Sequence, residues 1–431
     1  MPDRHPDAHE VANMRALFRD PFFASYLSGS SADATQECYY VARQFGMTAR
    51  EAHAISGKVS QRVAKRSPPV TMLELFLTSH CNLACSYCFV EGKSMQAPMS
   101  LETAKKSVEF LIRESREKRS LNLLLMGGEP MLRFSLIESL LPWAKAQVAR
   151  AGKSLRVDMT TNGTLLNQRR GEFLNRMGVM VLLSLDGDRV THDRHRIDRR
   201  GRGSFDRALR GLEVLRRHQG YVGVKMTVAA DEVGALVENV RALSRRGVHH
   251  FILGHATGTD WSWASLQSLS DAYLELHAWL HSLPESNRPR ISVIENTLGH
   301  GASSPPPRRH RFGCRAGRHS VMVAPTGELF PCSKAYGVRC MREFFRLGSL
   351  TEGFTNTQLR GQLTGQIATE RETCWNCAHQ SNCFGGCVAV NASMTGDPLR
   401  PPAGECRAIA SQRQLASLLR RQEQRFCAEQ G

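Results

Sequence analysis

Cys81, Cys85 and Cys88, in the run C-N-L-A-C-S-Y-C-F, set three thiols on one short loop. Three thiolates around a cube of four irons leave one iron without a protein ligand. Clusters that only carry electrons are normally ligated four times, so an open iron can hold a small molecule and do chemistry on it. Two plainer readings fit the same run: a zinc knuckle with a distant fourth ligand, or three unrelated buried cysteines. Zinc sites usually pair C-x-x-C or C-x-x-H units to close a tetrahedron, and C-x3-C-x2-C is an awkward half of that.

A second set of cysteines lies downstream. Cys314 is followed by twelve residues, Gly327, four residues and Cys332; then come Cys374-x2-Cys377-x5-Cys383-x3-Cys387, eighteen residues and Cys406. Taken alone, the four-cysteine block could fold a small zinc knuckle. Seven cysteines exceed one tetrahedral metal and are one short of two fully ligated centres. The chain holds 13 cysteines and shows no export signal at its start, which favours metal binding in a reducing compartment over a disulfide framework. The cytoplasm is the expected location. Cys38 reads as a core residue, and Cys427 as having no cluster role.

The elements that must position these groups follow from periodicity. Short apolar runs at 72–78, 121–126, 155–160, 179–185, 222–228 and 249–253 alternate with amphipathic stretches such as 101–118 and 205–217, for which Ser100 and Ser204 are the expected caps. Six strand–helix repeats imply a parallel sheet with right-handed crossovers. The first strand ends just before Cys81, at its carboxyl end, where parallel α/β folds bind ligands. Residues 1–68 read as a helical extension, with Thr48 as a cap and Glu51 three residues on. Residues 301–307 (G-A-S-S-P-P-P) read as a linker and 411–426 as an amphipathic helical tail.

Strand ends carry further polar groups. Met126-Gly127-Gly128-Glu129-Pro130 follows the second strand; paired glycines let backbone approach a ligand closely, and the carboxylate suits an ammonium group. Thr161-Asn162-Gly163 closes the third strand and reads equally well as a plain turn. The fourth ends Ser184-Leu185-Asp186-Gly187, before His192-Asp193-Arg194-His195-Arg196.

With these positions in hand, the chain resembles the radical S-adenosylmethionine (SAM) enzymes, whose signature is C-x3-C-x-aromatic-C; Tyr87 is the aromatic residue. The resemblance implies an α/β fold, a partial (βα)6 TIM-like barrel over 69–300, with a [4Fe–4S] cluster on Cys81, Cys85 and Cys88. SAM would chelate its open iron and be cleaved to a 5′-deoxyadenosyl radical that abstracts a substrate hydrogen. By the same resemblance Gly127, Gly128 and Glu129 meet the methionyl amine, Ser184 hydrogen-bonds the cofactor, Arg196 pairs with its carboxylate, and Asp186 orients the ribose or the strand end. Bidentate pairing explains why arginine would serve there.

The downstream pattern is similar to the SPASM extension of that family, over 312–407, before a C-terminal helix at 408–431. That similarity implies two auxiliary [4Fe–4S] clusters, an inner one on Cys314, Cys332 and Cys387 and an outer one on Cys374, Cys377, Cys383 and Cys406. Ser320 stands where some relatives carry an eighth cysteine, so either the inner cluster has an open iron or Cys340 or another group completes it. Lys334 and Tyr336 lie near the inner cluster by sequence, with two readings: they face substrate, or, the plainer one, they are exposed loop residues.

Composition bounds the function. No run approaches the roughly 18 apolar residues of a membrane span. The net charge of +17 fits an acidic or anionic partner, yet basic stretches such as Arg194–Arg202 and Arg308–Arg311 have no interleaved aromatics, so a nucleic-acid partner is not expected. The resemblance implies a maturase for a ribosomally made precursor peptide, served by an external one-electron reductant such as flavodoxin or ferredoxin. An anaerobic sulfatase-maturing enzyme is the alternative. Those enzymes carry an aspartate after the cysteine of G-x4-C, where this chain has Ser333, and their radical motif begins early. A non-catalytic iron–sulfur or zinc scaffold is the alternative of another class.

Overall fold

The computed structural model describes residues 48, 50, 68–90, 97–257, 259–299, 316–365, 374, 377, 379, 383 and 385–430. The expectations for most of 1–68 (Cys38 and Glu51 among them), for the linker at 301–307, for Arg308–Arg311 and for Cys314 lie outside these residues, as does the side chain of Cys340.

Six parallel strands in sequence order form the centre: β1 (Met72–Phe76), β2 (Ser120–Met126), β3 (Ser154–Thr161), β4 (Val179–Ser184), β5 (Gly223–Val228) and β6 (His250–His255). The helices between them are α1 (Leu101–Glu114), α2 (Phe134–Arg150), α3 (Gln168–Arg176), α4 (Arg189–His195), α5 (Phe205–Gln219) and α6 (Leu236–Arg245). A short β7 (Arg290–Ile291) ends the sheet beyond β6, flanked by α7 (Trp263–Ser282) and α8 (Ser292–Gly299). This is the expected partial, TIM-like barrel: a curved parallel sheet that does not close on itself.

The alternation that suggested the strands also sets their faces. In β3 and β4 every second residue (Val157, Met159, Thr161; Val179, Val181, Leu183) is buried against the helices, while the intervening ones line the concave side. Their burial joins Leu73, Leu75, Leu123, Leu125, Val224 and Met226 to the inner stripes of the helices in one core. Ser100 caps α1 as expected, its side chain accepting from the Thr103 N–H. Ser204 does not cap α5. Asp193 does so instead, its Oδ1 accepting from the N–H groups of Ser204 and Phe205 at 2.7 and 2.8 Å. The Ser204 hydroxyl faces inward and donates to the Arg196 carbonyl at 2.6 Å.

The sheet does not stop at the expected domain limit near 300. On the far side of β1 it continues through β8 (Ser320–Val323), parallel to β1, and the antiparallel β9 (Glu328–Phe330), β10 (Gly348–Ser349) and β11 (Gly353–Phe354). The short helices α9 (Ser333–Gly337) and α10 (Arg342–Phe345) follow β9; α11 (Thr357–Gly365), α12 (Val388–Thr395) and α13 (Ala403–Gln430) complete the described elements. The C-terminal helix is longer than the 411–426 expected and lies along α7 and α8. Among the described residues no helix is long and apolar enough to cross a membrane.

Candidate active site

The cysteine loop leaves the carboxyl end of β1 and is tied by backbone bonds to two other segments. Gly128 and Glu129 donate N–H groups to the carbonyls of Thr78 and His80 at 2.7 and 2.9 Å. Ala84 and Ser86 donate to Ile197 and His195 carbonyls, and Leu83 bridges Asp198. The glycines therefore serve the loop directly. A Cβ on Gly127 would sit 2.5 Å from the Thr78 oxygen, and one on Gly128 2.3 Å from the His80 oxygen. Only bare backbone can run this close beneath the cysteine loop.

Glu129 is 1% exposed, and its carboxylate is spent inside the protein. It accepts from the Met131 N–H at 2.9 Å, the Thr161 hydroxyl at 2.7 Å and the Asn162 N–H at 2.8 Å. Burial raises its pKa against those donors. The glutamate thus locks the end of β3 to the glycine turn. Asn162 in turn reaches Asn82 at 2.9 Å and lies 3.9 Å from the Cys81 sulfur, so the Thr161-Asn162-Gly163 turn is part of the loop's support.

Asp186, just past β4, is the centre of the opposite wall. Arg196 donates to both of its oxygens, Nε at 2.7 Å and Nη2 at 3.0 Å, the Thr227 N–H donates at 2.9 Å, and the Tyr87 hydroxyl donates to Oδ2. Asp186 is 3% and Arg196 7% exposed. Burial alone would raise the carboxyl, but Arg196, Tyr87 and Thr227 together hold it below its ordinary range. Burial raises the Tyr87 phenol far above its usual range. The bidentate partner of Arg196 is therefore Asp186, and the pair clamps Tyr87 beside Cys85 and Cys88. Ser184 ends β4 half-buried in register with Lys225.

Two positioning histidines were not foreseen. His192 accepts at Nδ1 from the Asp186 N–H at 3.4 Å and meets the Ser204 hydroxyl with Nε2 at 3.0 Å. Burial pushes its pKa down to about 4, so it stays neutral. His195 holds the Ser86 hydroxyl at 2.8 Å. Both lie in a charged run that the sequence pattern could not rank by burial.

The concave side holds a second unforeseen group. Glu74 of β1 is buried; burial raises its carboxyl, and its Oε2 accepts from the Ser333 N–H at 2.9 Å. Lys225 of β5 faces it with a pKa lowered by burial and then by Arg196 and Lys334. Lys334 reaches Thr257 past the end of β6, so it is turned into the barrel mouth and is not a loose surface residue. Tyr336 was expected on the surface as well. It is instead buried edge-on between Phe76 and Phe330, with ring centroids 4.9 and 5.0 Å away.

Downstream, Cys332 and Cys387 occupy the N-caps of α9 and α12, two helices that pack on each other. Cys406 is exposed near the start of α13; its pKa is raised by burial and then by Cys383, Cys374 and Cys377, which places these four thiols together. Among the described residues, two groups of three ligand-type side chains come within 4.8 Å, and neither includes a cysteine. A single tetrahedral zinc would hold its sulfurs about 3.8 Å apart, from Zn–S bonds of about 2.3 Å. No three of the described thiols come within 4.8 Å of one another.

Residues 75–230 match the family described as the Radical SAM superfamily. The chain carries a radical SAM domain, and the protein is an enzyme. It is 26% identical over 351 residues to a serine-type anaerobic sulfatase-maturating enzyme of Klebsiella aerogenes, covering 76% of this chain and 82% of the relative. To the mycofactocin maturase MftC of Mycobacterium tuberculosis it is 29% identical over 345 residues, covering 77% and 81%. Among solved structures, native anSMEcpe with bound AdoMet shares the fold with TM-score 0.65 at 19% identity, over 81% of this chain and 97% of that one. Streptococcus suis SuiB bound to the precursor peptide SuiA has TM-score 0.58 at 18% identity, over 82% and 81%. A radical SAM domain implies a [4Fe–4S] cluster and SAM. The donor set fits them: three thiols on one short loop at the carboxyl end of β1.

Proposed function

We propose that this radical SAM enzyme is a maturase that modifies a side chain of a ribosomally made precursor peptide by hydrogen abstraction. The observation that carries the reading is the clamping of Cys81, Cys85 and Cys88 between the Gly127–Glu129 turn and the Asp186–Arg196–Tyr87 group. A relative named mycofactocin maturase, and a neighbour of the same fold solved with a precursor peptide, support the substrate class.

When bound, the [4Fe–4S] cluster and SAM supply one-electron cleavage of the sulfonium and a radical that takes a hydrogen atom. Cys81, Cys85 and Cys88 hold the cluster and leave one iron open. Gly127, Gly128 and Glu129 shape the wall under the loop, with the backbone of that turn toward the methionyl amine. Ser184 lies at the strand end beside the cofactor. Asp186 and Arg196 fix Tyr87 against the loop, and the Arg196 Nη1 group, which is not given to Asp186, would serve the SAM carboxylate.

Cys332 and Cys387, with Cys314, hold an inner auxiliary cluster. Cys374, Cys377, Cys383 and Cys406 would hold an outer one; such clusters would supply an acceptor for the one electron left after hydrogen abstraction, the accompanying proton leaving to solvent. An external reductant of flavodoxin or ferredoxin type supplies the first electron, and the protein works in the cytoplasm.

Sulfatase maturation is the second reading, favoured by the Klebsiella relative and by one contact. The carboxylate missing at Ser333 is present in space, because Glu74 accepts from the Ser333 N–H. Under strict anaerobiosis with dithionite and SAM, the protein is expected to release 5′-deoxyadenosine. Iron near twelve atoms per chain would support three clusters of about four irons each; about four would leave only the first. Incubation with the short peptide encoded beside this gene should give a mass loss of about 2 Da per oxidative crosslink. A chain that cleaves no SAM refutes the reading. Cleavage with oxidation of a sulfatase serine or cysteine, and none of the peptide, selects the second.

A further inference from the structure

Away from the barrel mouth, α7 and α13 bring three metal-capable side chains to one point. His277 and His281 lie four residues apart on α7 and share a face. Glu423 comes from α13, and its Oε2 is 2.7 Å from Nε2 of His277 and 2.9 Å from Nε2 of His281. The three donor atoms all lie within 4.8 Å of one another. The His277 side chain is 2% exposed, that of Glu423 36%, so the point is sheltered but reachable.

The hydrogen-bond chemistry is compatible with a metal ion there. Gln422 presents its amide oxygen to Nδ1 of His277 at 2.8 Å. An amide oxygen only accepts, so the ring proton sits on Nδ1 and Nε2 offers a lone pair. A carboxylate oxygen also only accepts. Lone pair therefore faces lone pair at 2.7 Å unless a second proton or a metal intervenes. A second proton on His277 together with the Nε2–H form of His281 would also satisfy the oxygen; a single metal ion is the alternative that engages both imidazoles at once. An outer partner that fixes the tautomer, as Gln422 does, is the usual companion of a metal-binding histidine. Phe426 stacks on His281 with centroids 4.3 Å apart and screens one side.

We propose that His277, His281 and Glu423 bind one divalent first-row cation, for which Zn²⁺ suits the two-imidazole, one-carboxylate set, and that this ion pins α13 to α7. Bonds of about 2.0–2.1 Å set neighbouring donors roughly 3.3 Å apart, a few tenths of an ångström wider than the present spacing. A small rotation of the partly exposed Glu423 supplies it. Because α13 carries Cys406 near its start, the clasp anchors the far end of a helix that bears an expected cluster ligand.

The test uses the full chain with its iron sites loaded, so that cysteines do not compete. After incubation with zinc chloride and desalting, the unmodified protein should retain about one zinc more per chain than His281→Ala or Glu423→Gln. Its affinity should exceed theirs by at least about tenfold, as expected when one ligand of three is lost. X-ray absorption at the zinc edge of the unmodified protein should show nitrogen and oxygen near 2.0–2.1 Å and no sulfur near 2.3 Å. Equal zinc in all three proteins would overturn the proposal and leave an imidazolium–carboxylate pair. A sulfur shell would overturn it too, by placing the zinc on cysteines. Should the variants lose their circular dichroism, the absorption spectrum of the unmodified chain decides alone.

Discussion

The two cysteine regions are held in different ways. The Cys81–Cys88 loop hangs on backbone hydrogen bonds to the glycine turn and to residues 195–198, and its supports are buried carboxylates already satisfied by protein donors. Of the downstream set, Cys377 and Cys406 are exposed, and the described bonds around the thiols are local ones, such as the Cys377 N–H to the Cys374 carbonyl and the Gly385 N–H to the Cys383 sulfur. The first site rests on bonds that the barrel itself supplies. If the second set holds the clusters proposed above, metal bound there would be folding energy.

That contrast can be broken most sharply by paired cysteine variants. Cys85→Ala is expected to bring release of 5′-deoxyadenosine down to background while the unfolding midpoint in denaturant barely moves. On the proposed assignment, Cys374→Ala should lose about four irons per chain and also lower the midpoint, because the thiol is buried and a lost metal would take folding energy with it. Equal destabilisation by the two substitutions, measured by iron analysis and urea unfolding, would erase the distinction.

Legibility in the sequence follows the same line. Strand order, the carboxyl-end placement of Cys81 and the cap at Ser100 come from period-two alternation and local turn chemistry, which act over a few residues and leave a readable trace. The Glu129–Thr161 and Asp186–Arg196 bonds join strand ends that are neighbours only in the folded sheet. Their residues were identifiable, but their partners were not. Glu129 and Arg196 were expected to face a ligand; Glu129 takes three protein donors, and Arg196 gives Nε and Nη2 to Asp186. Glu74 was hidden for a different reason: it sits in the apolar run M-L-E-L-F and reads as an ordinary polar position on a strand. Ser204 misled because Asp193, eleven residues earlier, reaches the same helix end.

The buried clamp offers the next largest effect. Arg196→Leu leaves Asp186 charged and buried without its cation, which should cost about 3–5 kcal/mol in urea unfolding. Asp186→Asn with Arg196→Leu should cost less than the sum of the two, and strict additivity would mean that the pair is not coupled. His192 gives a pH signature of the same wall. Its folded pKa lies near 4 against an ordinary 6.5, so below pH 6.5 the unfolded chain takes up the proton first. Stability is then unaffected above pH 6.5 and falls by about 3 kcal/mol between pH 6.5 and 4. His192→Gln should lose that part of the slope, and an unchanged slope would show that His192 is not the group responsible.

The smallest expected effect tests the closest approach in the first site. In Gly128→Ala the new methyl would meet the His80 oxygen at 2.3 Å and the Ser79 oxygen at 2.6 Å, both backbone atoms that cannot swing away. Overpacking of this kind costs about 1–3 kcal/mol, and the displaced loop should also weaken SAM binding. Gly152→Ala is the matching control. It has a φ of +68° with nothing within 4 Å of the added carbon, so it carries the left-handed backbone cost of about 1–2 kcal/mol and no collision. The discriminating measurement is SAM affinity by equilibrium binding on anaerobically loaded protein. Gly152→Ala should leave affinity unchanged at any stability cost, whereas Gly128→Ala should lower it. If both bind SAM equally well, the loop yields to a methyl group, and a cysteine loop that yields so easily is not one built by the barrel alone.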